Sequence, residues 1–304
     1  MRFSVGLRNH GMERQNDSIT PESVTSVARA AEEAGFYAVS VVDHPMPDDD
    51  WMRHGGHRHP DPFVALTLVA AVTTRLRLLT HALVVPYRNP FLTAKAAATL
   101  DALSNGRLIL GVAAGYLEPE FAALGVDFSE RNELFDEAVR TVKAAWAGES
   151  VHLEGRHFVA RGHTLFPRPA QRPHPPIWVA GNSRLAIRRA VEQGDGWMPL
   201  INPNPPLHPQ RTPQIASVQV LRERLGYLRQ HAAIVGRVQP VEVVVPLGAA
   251  KFGTPAFSRD ELLEQAATLR EAGATCFVCS LPGETSGELA ENVRAFGEDV
   301  LSRA

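Results

Sequence analysis

The sequence predicts an α/β fold, a (β/α)8 barrel with loop insertions at its C-terminal face, formed as a single domain over residues 1–304. Three observations carry that prediction. Short runs rich in Val, Leu and Ile alternate with longer amphipathic stretches, the rhythm of βα units on a parallel sheet. The alternation completes eight cycles within 304 residues, the number a closed barrel needs. The G-x-G-x-x-G signature of an open, doubly wound sheet is missing. The chain reads Arg8-Asn9-His10-Gly11 after the first strand and Gly111-Val112-Ala113-Ala114-Gly115 after the fourth.

The strand candidates are Phe3-Leu7, Ala38-Asp43, Leu76-Val85, Leu108-Ala113, Pro176-Ala180, Gly196-Leu200, Val241-Leu247 and Thr275-Leu281. A helix candidate follows each. In the first, Thr20 is the N-cap, Pro21 takes the first helical position, Ser23 to Ala34 continue the helix and Gly35 stops it. The others are Pro62-Thr73, Pro90-Leu103, Glu130-Ala147, Ser183-Glu192, Ile215-Ile234, Arg259-Glu271 and Gly287-Leu301. The last carries Leu289, Val293 and Phe296 at a spacing that gives one apolar face. Two segments interrupt the rhythm. Val151 to Ala160, with Gly155-Arg156 in its middle, is expected to be a hairpin at the barrel's edge. Asn202 to Pro213 is too rich in proline for regular structure and is expected to form a lid over the mouth, with Asn202, Asn204 and His208 on it.

Composition narrows the function. With 44% hydrophobic residues the chain can bury a large core. Its 31 basic and 33 acidic residues nearly cancel, to a formal charge of −2, and no Lys/Arg-rich block is present, so neither nucleic acid nor a membrane surface is an expected partner. No apolar run approaches the roughly 18 residues of a membrane span, and Met1-Arg2-Phe3-Ser4-Val5 enters a strand without the apolar stretch of a signal peptide. A cytoplasmic location is the expectation. Both cysteines, Cys276 and Cys279, fall in one strand run. Residues three apart on a strand face opposite sides at about 10 Å, so core packing is expected, not a disulfide or a shared metal.

The chemistry is expected at the end of the second strand, where the run stops at Asp43-His44. Pro45 excludes the α conformation at His44 and holds it extended. His44 is a candidate for proton transfer or for a hydrogen bond to a cofactor ring; the alternative is a loop histidine bound to a neighbouring strand. Asp43 is the second catalytic candidate, but it lies on the opposite pleat and can instead fix loops. His54, His57 and His59 have a spacing that suits zinc. With Gly55, Gly56, Arg53 and Arg58 beside them, however, a solvated lid is expected and no metal. Trp51, expected to be partly exposed, can cover a ring-shaped ligand. Ala180-Gly181-Asn182-Ser183-Arg184 opens a helix toward the mouth and suits an anion, although an ordinary Asn or Ser cap has the same pattern. The small residues from Gly111 to Gly115, followed by Tyr116, suggest that something flat approaches the backbone. Glu118 and Glu120 are expected to be helix caps or solvated partners of Arg rather than general bases.

Taken together, these residues resemble the luciferase-like monooxygenases, a superfamily of flavin- and deazaflavin-dependent barrels. The resemblance runs nearly end to end. It rests on Val42-Asp43-His44, Val85-Pro86-Tyr87-Arg88-Asn89-Pro90, Lys95 to Asp101, Ser104 to Gly111, Trp178 to Ser183, and Gly194-Asp195-Gly196-Trp197. It implies a bacterial-luciferase-like barrel whose cofactor ring lies near His44, along Thr80, His81, Ala82, Gly115 and Tyr116, with its phosphate near Ala180, Gly181, Asn182 and Ser183. It also implies a non-prolyl cis peptide near His81-Ala82, with His81 in place of the commoner glycine. The Asp-His ending resembles the branch that uses coenzyme F420, whereas several flavin branches show Glu-His-His. The implied activity is hydride transfer between the deazaflavin and a small organic substrate, with His44 handling the proton. The alternative is a two-component monooxygenase that uses FMNH2 and O2, with a reductase supplying the reduced FMN. In the deazaflavin dehydrogenases a tryptophan follows the histidine closely and a glutamate lies after strand four. Asp48 and Tyr116 stand at those places here, a departure from the sugar-phosphate and simple alcohol dehydrogenases. The substrate pocket is expected around Trp51, Tyr116, Trp197 and the proline-rich segment, and the family commonly forms homodimers.

Overall fold

The computed structural model describes residues 1–7, 19–148, 150–201 and 213–304. Arg8-Asn9-His10-Gly11 and the expected lid, up to its last residue, lie outside the described residues. In chain order the elements are β1 (Arg2–Gly6), α1 (Pro21–Glu33), β2 (Ala38–Val41), α2 (Asp49–Arg53), α3 (Pro62–Val72), β3 (Arg77–Thr80) and β4 (Leu83–Val84). Then come α4 (Pro90–Leu103), β5 (Leu108–Ala113), α5 (Glu118–Ala123), α6 (Arg131–Ala147), β6 (Val151–Glu154), β7 (Val159–His163), β8 (Ile177–Ala180) and α7 (Arg184–Glu192). The chain continues through β9 (Gly196–Met198), α8 (Val218–Ile234), β10 (Glu242–Leu247), α9 (Arg259–Ala272), β11 (Cys276–Cys279) and α10 (Ser286–Asp299).

The barrel closes because every stave pairs in parallel with its neighbours and the last returns to the first. Phe3 on β1 lies opposite Phe277 on β11 and Ser4 opposite Ala38 on β2, while β3 pairs with β5 through Leu78 and Leu108. β3 and β4 form one stave. The expected strand Leu76-Val85 is broken within it by a cis peptide between His81 and Ala82, which falls where the resemblance implies one. Val85 leaves the ladder for a short 3-10 turn, Val85–Tyr87. β6 and β7 pair only with each other, as the expected hairpin.

Local chemistry explains the boundaries. At the start of α1 the Thr20 hydroxyl accepts the Ser23 N–H while the Ser23 hydroxyl accepts the Thr20 N–H, and Pro21 needs no partner at N1. Gly35 leaves the helix at φ +84°, open to glycine at no steric cost. Ser183, Ser217 and Ser258 cap α7, α8 and α9 in the same way, so α7 begins at Arg184 and α8 at Val218 rather than earlier. α2 and α5 span five and six residues, too few to show helical periodicity in the sequence.

The pleat divides the core into two layers. Ala38, Leu79, Ile109, Trp178, Met198, Val244, Cys276 and Val278 fill the barrel. Val39, Leu78, Val179, Trp197, Phe277 and Cys279 pack outward under the helices. The cysteines are thus buried in different layers, the arrangement their spacing predicts. A Cβ on Gly111 would come within 2.0 Å of the Thr80 carbonyl and 2.8 Å of Met198, and one on Gly115 within 2.7 Å of the Phe121 ring. Protein packing therefore requires a glycine at both positions. Among the described residues no helix is long and apolar enough to cross a membrane.

Candidate active site

Parallel strands bring all their carboxyl ends to one face, and the fold delivers Asp43 and His44 there just beyond β2. The two side chains diverge, as opposite pleats require. Asp43 is buried and accepts the Val84 N–H at 2.9 Å and two bonds from the Arg88 guanidinium, at 2.5 and 2.7 Å. This bidentate pair ties the β2 exit to the β4 stave. Asp43, a catalytic candidate from the sequence, is therefore engaged in holding loops.

His44 has a different partner. Its Nδ1 lies 3.1 Å from Oε2 of Glu120, which is fully buried on α5. The same oxygen accepts the Tyr87 hydroxyl at 2.8 Å, and Oε1 accepts the Met46 N–H at 2.9 Å. All three contacts use the carboxylate as an acceptor, so His44 donates from Nδ1 and leaves Nε2 as the ring nitrogen that Glu120 does not engage. This corrects the sequence reading of Glu120 as a cap or solvated partner. Proximity to Glu120 and burial push the Tyr87 hydroxyl up, burial being the larger cause, so Tyr87 stays protonated and donating.

Aromatic rings enclose the imidazole. Trp51 is buried rather than partly exposed, with its ring centroid 4.6 Å from that of His44. His57 meets His44 edge-on at 5.0 Å and Tyr116 does so at 5.9 Å. The Asp48 carboxylate caps α2 by accepting from Asp50 and Trp51. Gly56 lets the chain fold back over the indole, since a Cβ there would meet Trp51 at 2.5 Å. His57 and His59 stack at 4.8 Å. This segment is thus a packed aromatic cover around His44, with only His54, Gly55 and Arg58 of residues 54–59 exposed, and not the solvated lid expected. Among the described residues no group of three or more His, Cys, Asp or Glu side chains is placed to hold a metal ion.

Other predicted residues divide into those that face the mouth and those that support it. Thr80 is fully buried and donates to the Gly111 carbonyl at 2.7 Å. Asn182 is buried and uses its amide in both directions on the Leu200 backbone, at 2.8 Å each. The Ser183 hydroxyl accepts the Ala186 N–H at 3.1 Å, and Arg184 lies over the Tyr227 ring. The ordinary-cap alternative describes these groups as they stand. Trp197, expected in the substrate pocket, is instead fully buried in the outer layer and donates its indole N–H to the Gly181 carbonyl at 2.8 Å. It supports the loop from behind.

What remains at the mouth is a shelf. Ala82, Ala113, Ala114, Ala180 and Gly181 are small and half-buried where β3, β5 and β8 end, with Ala82 and Ala180 resting on the barrel's inner core. Half-buried His81 borders the shelf, and burial pushes its pKa down to about 4, so it is neutral at physiological pH. A flat apolar shelf next to a fixed imidazole suits the ring of a deazaflavin or flavin; small residues permit close approach, and His44, His81 and Tyr116 offer polar contacts at its border.

Comparison with known proteins bears on the family and the fold. The model of the family described as luciferase-like monooxygenase matches residues 1–244. An F420-dependent glucose-6-phosphate dehydrogenase of Beutenbergia cavernae is 36% identical over 192 residues, 62% of this chain and 55% of that protein. The corresponding enzyme of Kineococcus radiotolerans has the same identity and coverage. The chain thus matches little more than half the length of these relatives. Among solved structures, monooxygenase RslO1 from Streptomyces bottropensis superposes with a TM-score of 0.80 at 25% identity, covering 99% of both chains. An F420-dependent secondary alcohol dehydrogenase bound to an F420-acetone adduct does so with a TM-score of 0.76 at 16% identity, covering 100% of this chain and 99% of that one, a likeness of fold.

Proposed function

Because the chain belongs to the luciferase-like monooxygenase family, we propose that it is an F420-dependent oxidoreductase that transfers a hydride between the deazaflavin and a small organic substrate. The observation that carries this reading is the buried Glu120 fixing His44 through Nδ1, beside a shelf able to seat a flat ring. The F420-dependent relatives support the choice of cofactor. When bound, the deazaflavin supplies hydride chemistry and the protein supplies positioning and electrostatics. Ala82, Ala113, Ala114, Ala180 and Gly181 would lie along the ring, with His81 and Tyr116 at its edge. Gly181 to Ser183 at the start of α7 would face its phosphate. The proton that accompanies hydride transfer is exchanged at His44 Nε2, while Glu120 and Tyr87 hold the other side of the imidazole. Trp51 and His57 keep water from the ring. The cytoplasmic location expected from the sequence belongs to the same proposal.

The 25% identity to a monooxygenase favours a second reading, a two-component monooxygenase that takes FMNH2 from a reductase and uses O2. One titration separates the two. Oxidised F420 and FMN are added to the purified protein under identical conditions and quenching of their fluorescence is followed. Selective micromolar binding of F420 is expected; selective binding of FMN would replace the proposal by the second reading.

We further propose that the active form is a homodimer built on α3 and α4. α3 is apolar nearly all round, and Val64 on it and Leu92 and Leu103 on α4 are 72, 70 and 64% exposed. Such faces mark an interface. Val64→Asp combined with Leu92→Asp is expected to convert a dimer to a monomer in size-exclusion chromatography with light scattering. A wild-type monomer at micromolar concentration would dispose of the idea.

A further inference from the structure

We propose that the cavity at the base of the barrel, between α6 and the ends of α7 and α8, is a second ligand site that takes an aliphatic α-amino acid as its zwitterion. It lies at the amino ends of β9 and β10, at the end of the barrel opposite His44, and does not depend on the F420 reading.

The cavity measures about 480 Å³, within the range of small-molecule pockets, roughly 300–1,000 Å³. Two cations line it. Lys143 on α6 donates from Nζ to the Gln193 carbonyl at 2.7 Å. Arg237, on the link from α8 to β10, donates from Nη1 to the Val191 and Gly194 carbonyls at 2.7 Å each and from Nε to the Gln239 carbonyl at 2.8 Å. Most of these bonds go to carbonyls left open at and just past the end of α7, where the helix dipole favours positive charge. Capping explains why the cations gather there, but it does not use up their donors. An ammonium has three N–H groups and a guanidinium five, so Lys143 keeps two and Arg237 keeps the pair on Nη2. Among the described residues neither cation is ion-paired with a carboxylate. Burial pushes the Lys143 pKa down, with Asp195 opposing the shift and Arg237 adding to it.

Two carboxylates line the same cavity. Glu192 accepts His231 Nε2 on Oε1 at 2.6 Å, and Asp195 accepts the Ile177 N–H on Oδ2 at 2.8 Å. Oε2 of the first and Oδ1 of the second stay open to a donor. Val235 and Val238 form an apolar rim, with Val238 91% exposed.

This balance of charge selects the ligand. A simple anion would meet Glu192 and Asp195 as well as the cations, and a simple amine would meet Lys143 and Arg237, so repulsion offsets what either gains. A zwitterion matches both pairs. Its carboxylate accepts from Lys143 and from Arg237 Nη2, and its ammonium donates to Glu192 and Asp195. An aliphatic side chain then covers the valine rim and removes apolar surface from water.

Ligand-detected saturation-transfer NMR on the full chain tests the site with three probes: L-leucine, 4-methylpentanoate, which lacks the amine, and 3-methylbutylamine, which lacks the carboxylate. L-Leucine is expected to bind with a dissociation constant of about 1 mM or below. Each one-charge analogue is expected to bind about tenfold or more weakly, the scale for lost hydrogen bonds to charged groups. Lys143→Gln keeps a donor for the Gln193 carbonyl and removes the charge, while Val238→Asp alters only the exposed rim. Each is expected to weaken leucine about tenfold with the thermal unfolding midpoint close to that of wild type. Leucine affinity unchanged in both variants would place the binding elsewhere and overturn the site. Binding of 4-methylpentanoate as tight as that of leucine would overturn the zwitterion. No saturable signal from leucine up to about 10 mM would overturn the proposal outright.

Discussion

His44→Ala is expected to lower turnover by roughly 10²–10⁴-fold, the range for removal of a general acid–base group, while F420 is expected to bind within a few-fold of wild type. Binding survives because the shelf residues belong to other strands and the substitution leaves them in place. Turnover falls because the group that exchanges a proton is gone. The geometry adds a second arm to this prediction. Glu120 holds the imidazole through Nδ1 from a fully buried position, together with Tyr87 and the Met46 N–H. Glu120→Gln keeps the shape but replaces half of an acceptor-only group by a donor, so at least one of three N–H or O–H partners loses its bond. The loss expected in Glu120→Gln is about 10–100-fold, the scale for partners that orient a histidine through its second nitrogen. A positioning role also shifts the pH profile of kcat/KM in Glu120→Gln, because the charge beside His44 has changed. An unchanged rate in His44→Ala removes the histidine from the mechanism. A full rate with an unchanged profile in Glu120→Gln removes the pair.

Arg107→Ala is expected to cost roughly 3 kcal/mol of stability and to leave the activity of the folded protein intact. Arg107 sits immediately before β5, at the end of the barrel opposite His44, just after a turn in which Asn105 takes φ 54° and Gly106 φ +81°. Its side chain is buried. It donates to the carbonyls of Ala70, Leu76 and Ser104 at 2.8, 2.9 and 2.7 Å and to the Thr73 hydroxyl at 2.8 Å. One guanidinium thus closes the last turn of α3, the entry to β3 and the end of α4. Truncation leaves three buried carbonyls without their donor, each worth about 1 kcal/mol or more, and removes the packed stem. Lys does not restore the network, because an ammonium is a single point and not a planar fork. Urea denaturation of wild type and variant, with kcat measured on the folded protein, checks both halves. A loss below about 1 kcal/mol would show that water replaces the guanidinium freely.

The architecture was legible in the sequence because strand and helix periods are local properties. The eight staves, the Thr20-Pro21 helix start, the Pro90-Leu103 helix and the hairpin around Gly155 were each marked by neighbouring residues. So was the arrival of Asp43 and His44 at a strand exit, along with their divergence, since adjacent residues on a strand face opposite ways. Glu120 was not legible. It lies 76 positions from His44, and in the sequence it is one of two carboxylates in a helix-opening loop. Only closure of β2 against the β3–β4 stave and then β5 brings α5 over the β2 exit. Trp197 was misplaced for a related reason. Trp178 lies opposite Gly196, so Trp197, one residue on, faces the other layer, and nothing local to Gly196-Trp197 says which layer that is.

By itself, then, the sequence determined a parallel βα barrel, the strand end that carries its imidazole, a cis peptide near His81 by resemblance, and two cysteines too far apart to meet. The tertiary structure decided which of the residues near that end are free to act. It assigned Asp43, Thr80 and Asn182 to holding loops, gave His44 a buried carboxylate and folded Trp51 onto it. The division follows from the range of the forces involved. Hydrogen-bonded periodicity and steric limits act within a few residues and leave a local record, whereas a buried polar group must find its partner in space, and barrel closure brings those partners from elements far apart in the chain.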